Sequence, residues 1–204
     1  MDYAGGYFIN VIIPVYLMKK IILASQSPRR KQLLEWAEID FEVIVSDSDE
    51  TYPDGLNMEE IAIHIARNKA LAVSEKTGKS KTILAADTIV VCDNEVIGKP
   101  KDRPDALQII RKLSGKNHHV ITGVCILYGE KEISFSDTTT VSFHELTDEQ
   151  IAFYVDKYQP YDKAGAYAIQ EWIGVIGIRS ISGDFYNVMG LPVSRVIQHL
   201  QTLS

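Results

Sequence analysis

The stretch Ile21-Ile22-Leu23-Ala24-Ser25-Gln26-Ser27-Pro28-Arg29-Arg30 contains a whole structural transition. Its apolar start reads as a buried strand. Ser27 then supplies an N-capping hydroxyl, and Pro28 takes the first helical position, where its missing N–H is not needed. Leu33, Leu34, Trp36 and Ala37 provide the apolar face of the helix that follows. A strand passing through a tight turn into a helix is the opening unit of an α/β fold.

Working outward, Phe41 to Val45 reads as a second strand, and Ser46 to Asn57 as an acidic loop carrying Asp47, Asp49, Glu50 and Asp54. Asn57 caps a long helix through Lys76, which Gly78 stops. Thr82 to Cys92 is β-rich and apolar except for Asp87, and Asp93-Asn94 turns it into Glu95-Val96-Ile97. Lys101 to Leu113 is a capped helix, and two long β runs from His118 to His144 flank a turn at Gly129-Glu130-Lys131. A helix over Asp148–Lys157, a loop rich in small residues from Tyr161 to Gln170, a strand over Ile173–Ile178 and a last helix over Leu191–Leu200 complete the chain. This order predicts an α/β fold: a mixed, twisted sheet flanked by helices, in two lobes with a cleft between them.

The length of 204 residues suits one such domain. It is expected over residues 18–204, with Met18-Lys19-Lys20 as its natural start and residues 1–17 as a leader; an ordered extra strand or arm is the alternative reading of that leader. The leader has no basic start and is too short to span a bilayer, so neither a membrane nor secretion is expected. Twenty-one Lys and Arg against 27 Asp and Glu leave a net charge of −6, which argues against broad binding to nucleic acid and makes any phosphate recognition local. Cys92 and Cys125 form no C-x-x-C pair and read as buried strand thiols in a reducing cytosol.

Four places carry chemistry. At Ser25-Gln26-Ser27-Pro28-Arg29-Arg30, two guanidiniums and two flanking hydroxyls meet free N–H groups, a means of holding a polyphosphate; ordinary capping with solvated arginines is the alternative. Asp87 interrupts an apolar β run, where a carboxylate needs a cation, a metal, a water to deprotonate or backbone donors, and such a residue is expected at a strand end or bulge. Lys69 and Lys99 can neutralise phosphate charge, with ordinary surface lysines as the alternative; Glu50 can bind a hard cation such as Mg²⁺, but the residues alone favour a solvated acidic loop. Gln170 ends the Tyr161 loop with both a donor and an acceptor, which suits the edge of uracil or thymine. His118 and His119 point to opposite faces of a strand and read as structural.

Leu-Ala-Ser-Gln-Ser-Pro-Arg-Arg (23–30), Ala-Ala-Asp-Thr (85–88), Gly-Lys-Pro (98–100), Leu-Ser-Gly (113–115), Tyr-Asp-Lys-Ala-Gly-Ala-Tyr (161–167) and Asn-Val-Met-Gly-Leu-Pro (187–192) together resemble, in order, the Maf family of nucleoside triphosphate pyrophosphatases. The resemblance implies a cytoplasmic, Mg²⁺- or Mn²⁺-dependent enzyme, often a homodimer, that cleaves a nucleoside triphosphate to the monophosphate and pyrophosphate for nucleotide-pool clean-up. By position, Asp87 matches the proton acceptor; Arg29, Thr88 and Gln170 match the positions that mark the branch acting on dTTP and UTP. Ser25, Arg30, Lys69 and Lys99 match polyphosphate-side positions, and Glu50 the metal-binding acid. Glu171-Trp172 departs from the usual glycine after Gln170. The sister branch acting on 7-methyl-GTP, and a nucleotide-sensing regulator in keeping with the family's link to septum formation, are the other readings.

Overall fold

β1 (Ile21–Leu23) runs into α1 (Pro28–Trp36), whose first turn is capped by the Ser27 hydroxyl accepting from the Arg30 N–H at 3.4 Å. Leu33 and Leu34 of α1 are buried as expected, but Trp36 is 59% exposed. This computed structural model describes residues 19–45, 47–48 and 50–203, so the expected leader lies outside the described residues. The remaining elements are β2 (Phe41–Val43), α2 (Met58–Thr77), β3 (Ile83–Cys92), β4 (Glu95–Ile97), α3 (Arg103–Leu113), β5 (Asn117–Tyr128), β6 (Lys131–Phe143), α4 (Asp148–Tyr158), α5 (Trp172–Gly177), β7 (Ile178–Ser182), α6 (Phe185–Met189) and α7 (Val193–Thr202).

The strands form one mixed sheet in the order β2-β1-β3-β5-β6-β7, with β4 also paired to β3. β1 is parallel to β2 and β3, and every other pairing is antiparallel. Alternation along β3 divides the core into layers. Leu84, Ala86, Val90 and Cys92 join the larger cluster with α1, α3, α4 and α7, whereas Ile83, Ala85, Ile89 and Val91 face the α2 side. Both cysteines are free and buried in strands, as expected.

Two further expectations change. Asp87 lies in the middle of β3 rather than at a strand end or bulge, paired in register with Gly123. The stretch expected as a strand over Ile173–Ile178 is instead the short helix α5, and the strand begins at Ile178. β-branched composition favoured the strand, but tertiary packing overrides it: Ile173 is buried, Val175 is 81% exposed, and Gly174 lies so close to the Ile169 carbonyl oxygen that a Cβ there would come within 1.7 Å.

α2 is held by a full capping box between Asn57 and Glu60. It packs on the sheet through Ala62, Ala66 and Ala70, all fully buried, at four-residue spacing. Opposite Ala62 the sheet presents Gly123, where an added Cβ would stand 2.1 Å from the Ala62 backbone. The absent side chain lets helix and strand touch, and it does so at the residue paired with Asp87. Gly123→Ala is therefore expected to destabilise the protein by about 3 kcal/mol or more, measured by urea unfolding, since helix or strand must move to admit the methyl.

His118 lies fully buried on β5, with Nε2 at 2.7 Å from the Tyr167 hydroxyl, Nδ1 without a hydrogen-bond partner, and the Phe143 and Tyr167 rings edge-on to it. Burial, with a smaller contribution from His119, pushes its pKa down to about 4 from an ordinary 6.5. The unfolded chain thus binds more protons between those values. The stability contributed by the neutral ring is complete above pH 6.5 and is lost as the pH falls toward 4. Unfolding free energies at pH 6.5 and 5.0 are expected to show a His118 contribution of roughly 1 kcal/mol per pH unit, absent in His118→Gln.

Candidate active site

The site begins as a break in the pairing of β3. One edge of β3 is covered by β5 from Ile83 to Val91. The other edge meets β1 at Ile83 and Leu84, and meets β4 only from Val90 onward. Between them β1 has turned away through Ser25–Ser27 into α1, and no described strand covers this edge at Asp87 or Thr88. The gap opens into a cavity of about 540 Å³, the size of a small-molecule site. Asp87 and Thr88 point to opposite faces of the sheet, so the gap draws on both layers.

On the α2 side, Lys69 Nζ lies 2.6 Å from Asp87 Oδ1 and 2.8 Å from Glu50 Oε1. One ammonium therefore bridges two carboxylates that sequence places far apart. The hydrogen bond from Lys69 is the main cause holding the Glu50 carboxyl below its usual range; partial burial opposes it, and the charges of Lys69, Lys99 and Arg30 add to it. Lys99 lines the cavity rim and is exposed.

On the opposite side Arg30 is buried and fixed in three directions. Its Nε donates to the Gly190 carbonyl at 2.8 Å, Nη1 to Ser25 Oγ at 3.1 Å and Nη2 to Thr88 Oγ1 at 3.0 Å. Burial pulls its pKa down from the arginine range while the Asp87 charge opposes the shift. Behind it, Thr88 Oγ1 shares a 2.9 Å hydrogen bond with Thr122 Oγ1, Thr122 donates to the Asn187 carbonyl, and the Asn187 amide donates to the Val120 carbonyl and Thr139 Oγ1.

The third wall is the loop from Tyr161 to Ala168. Arg29 Nη1 reaches Asp162 Oδ2 at 3.1 Å, and Lys163 Nζ reaches Asp162 Oδ1 at 2.7 Å and Glu171 Oε1 at 3.5 Å. The Tyr154 hydroxyl donates to Glu171 and accepts from the Ala168 N–H. Partial burial pushes the Asp162 carboxyl up, but the hydrogen bonds and charges of Lys163 and Arg29 outweigh it and hold it below the usual range.

Among the described residues no three of His, Cys, Asp and Glu gather at one point. A hard cation nevertheless takes one or two carboxylates and completes its shell with substrate oxygens and water. Glu50 and Asp87, already sharing one cation, fit that requirement.

A family profile described as Maf-like protein matches residues 20–203. The chain belongs to the Maf-like family. It is 51% identical over 183 residues, 89% of this chain and 95% of the relative, to a protein of Parabacteroides distasonis named dTTP/UTP pyrophosphatase. A protein of Phocaeicola vulgatus with the same name is 52% identical over 185 residues, 90% of this chain and 96% of the relative. Among solved structures, the Ham1 protein of Staphylococcus aureus covers 91% of this chain and 100% of its own, with a TM-score of 0.50 and 16% identity, a likeness of fold.

In this Maf-like chain Ser25, Arg29, Arg30, Glu50, Lys69, Asp87, Thr88 and Lys99 all line the cavity. Ser25 and Thr88 spend hydroxyl contacts on Arg30, which makes them positioning residues of that guanidinium. Gln170 is exposed and is not part of the lining. Sequence reading missed Asp162 and Lys163, although it quoted their motif for its small residues; a lysine beside an aspartate in a glycine-bearing loop was the available signal. Arg30→Lys keeps the charge but cannot satisfy three divergent acceptors. It is expected to weaken binding of inorganic pyrophosphate by roughly tenfold or more in calorimetric titration, with an unchanged far-ultraviolet circular dichroism spectrum.

Proposed function

We propose that the chain is a nucleoside triphosphate pyrophosphatase that hydrolyses dTTP and UTP to the monophosphate and pyrophosphate. The observation that carries this reading is the Asp87 carboxylate in the sheet gap, 2.6 Å from Lys69, facing a cavity walled by Arg29, Arg30 and Lys99. Such a cavity balances a polyanion with cations while keeping one carboxylate at its floor, where a water can lie beside it. A site for anion binding alone has no use for that carboxylate next to phosphates.

In the proposed reaction Arg29, Arg30, Lys69 and Lys99 hold the triphosphate. Asp87 takes a proton from water as the water oxygen bonds to the α-phosphorus, and the bond from that phosphorus to the bridging oxygen breaks, releasing pyrophosphate. Glu50 and Asp87 are the residues that would hold Mg²⁺ or Mn²⁺, which when bound supplies charge neutralisation on the phosphate oxygens. The pyrimidine assignment follows the names of relatives about half identical over most of the chain. Gln170, exposed outside the cavity, adds no support to it in this geometry. A homodimer and a cytoplasmic location belong to the same family-based reading; among the described residues no helix is long and apolar enough to cross a membrane.

The test is pyrophosphate release with Mg²⁺ or Mn²⁺ from a panel containing dTTP, UTP, the purine triphosphates and 7-methyl-GTP. Preferred release from dTTP and UTP is expected. Asp87→Asn is expected to lower kcat by about 10²–10⁴-fold while nucleotide binding survives. Preference for 7-methyl-GTP would transfer the chain to the other substrate class, and binding without turnover across the panel would make it a nucleotide sensor.

A further inference from the structure

The wall formed by the Tyr161–Ala168 loop holds charges that the proposed reaction does not yet use. Lys163 is only 8% exposed and lines the same cavity as Arg29. These two cations meet at one carboxylate: Asp162 gives Oδ2 to the Arg29 guanidinium at 3.1 Å and Oδ1 to the Lys163 ammonium at 2.7 Å. The contact with Arg29 joins residues 133 positions apart, across the cleft from α1 to the loop. Two oxygens of one anion, each on a different cation, is the way a phosphate group is held.

The two sides of Lys163 are not equivalent. Glu171 is anchored from behind by the Tyr154 hydroxyl and is 3.5 Å from the ammonium, whereas Asp162 has a side chain 57% exposed and belongs to the open loop. Glu171 therefore leaves Lys163 charge-balanced when Asp162 moves away. Among the described residues Arg29 has no such second carboxylate in its ion pairs. The Asp162 contact is the exchangeable one.

We propose that Arg29 and Lys163 form an anion subsite for a phosphate group of the polyphosphate chain, and that Asp162 is its resident stand-in, displaced when phosphate binds. The subsite is separate from the Lys69–Asp87–Glu50 cluster and rests on the reading of the cavity as a polyphosphate site. Lys163 is thereby a binding residue, and Asp162 competes with the ligand.

The test titrates inorganic tripolyphosphate with Mg²⁺ into the full chain by calorimetry, a probe without a base and hence independent of the pyrimidine assignment. Asp162→Asn removes the competing charge at an exposed position and is expected to tighten binding by roughly threefold to tenfold. In the Asp162→Asn background, Lys163→Met is expected to weaken binding about tenfold or more. The decisive readout is coupling: the gain from Asp162→Asn should shrink to below twofold in Arg29→Met and in Lys163→Met chains, each checked for folding by thermal melting. If Asp162→Asn leaves affinity unchanged or weaker, or if its gain persists undiminished in both cation-deleted chains, the carboxylate acts only through the general field of the cleft and the subsite is refuted. Absence of tripolyphosphate binding by the unaltered chain refutes it as well. Pyrophosphate release from UTP by that same chain reports separately on the catalytic reading.

Discussion

A carboxylate in the middle of an apolar strand has to be paired, and the contact between Asp87 and Lys69 is how this fold meets that demand. Much of the architecture follows from it. Lys69 projects from a helix that must lie close to the sheet, so the sheet-facing stripe of that helix is Ala62, Ala66 and Ala70, and the strand opposite offers Gly123. Asp87 must also reach the ligand, so one edge of β3 is left without a neighbour where β1 turns away before β4 begins. A continuous ladder along that edge would have sealed the carboxylate inside.

The same gap lets the two faces of the sheet act on one ligand. Asp87 and Thr88 are consecutive and diverge, one toward α2 and the other toward Arg30. The guanidinium is fixed by Gly190, Ser25 and Thr88, and Thr88 rests in turn on Thr122 and the buried Asn187 amide. A charged group held in this way loses little conformational freedom on binding an anion, because its orientation is already set. The α2 side is organised differently, with Glu50 on an exposed loop and Lys69 ion-paired between two acids.

Elements whose signals are local were legible in the chain. Ser27-Pro28 started α1, Asn57 started α2, and the Asp93-Asn94 turn reversed β3 into β4 with both residues at positive φ. Each depends on a few adjacent residues and their own hydrogen bonds. The stretch after Gln170 was misread because its β-branched residues speak for a strand, while the close approach of Gly174 to the Ile169 carbonyl, a contact no local pattern announces, curls it into α5. Thr88 and Ser25 were legible as site residues, but their attachment to Arg30 was not, because an acceptor's partner is a matter of distance in space.

The amino-acid order alone was sufficient for an α/β sheet with flanking helices, and its caps and out-of-place charges pointed to Ser25, Arg29, Arg30, Glu50, Lys69, Asp87 and Lys99, which line one cavity; Thr88 was added by the family resemblance, and Gln170, also expected, lies outside. Which charges meet was settled only on folding. Lys69 joins Glu50 and Asp87 through the docking of a helix on a strand, and Asp162 bridges Arg29 and Lys163 across 133 positions of chain. Coulombic and hydrogen-bond energies act over a few ångströms, so partners distant in sequence remain undefined until the backbone brings them within reach.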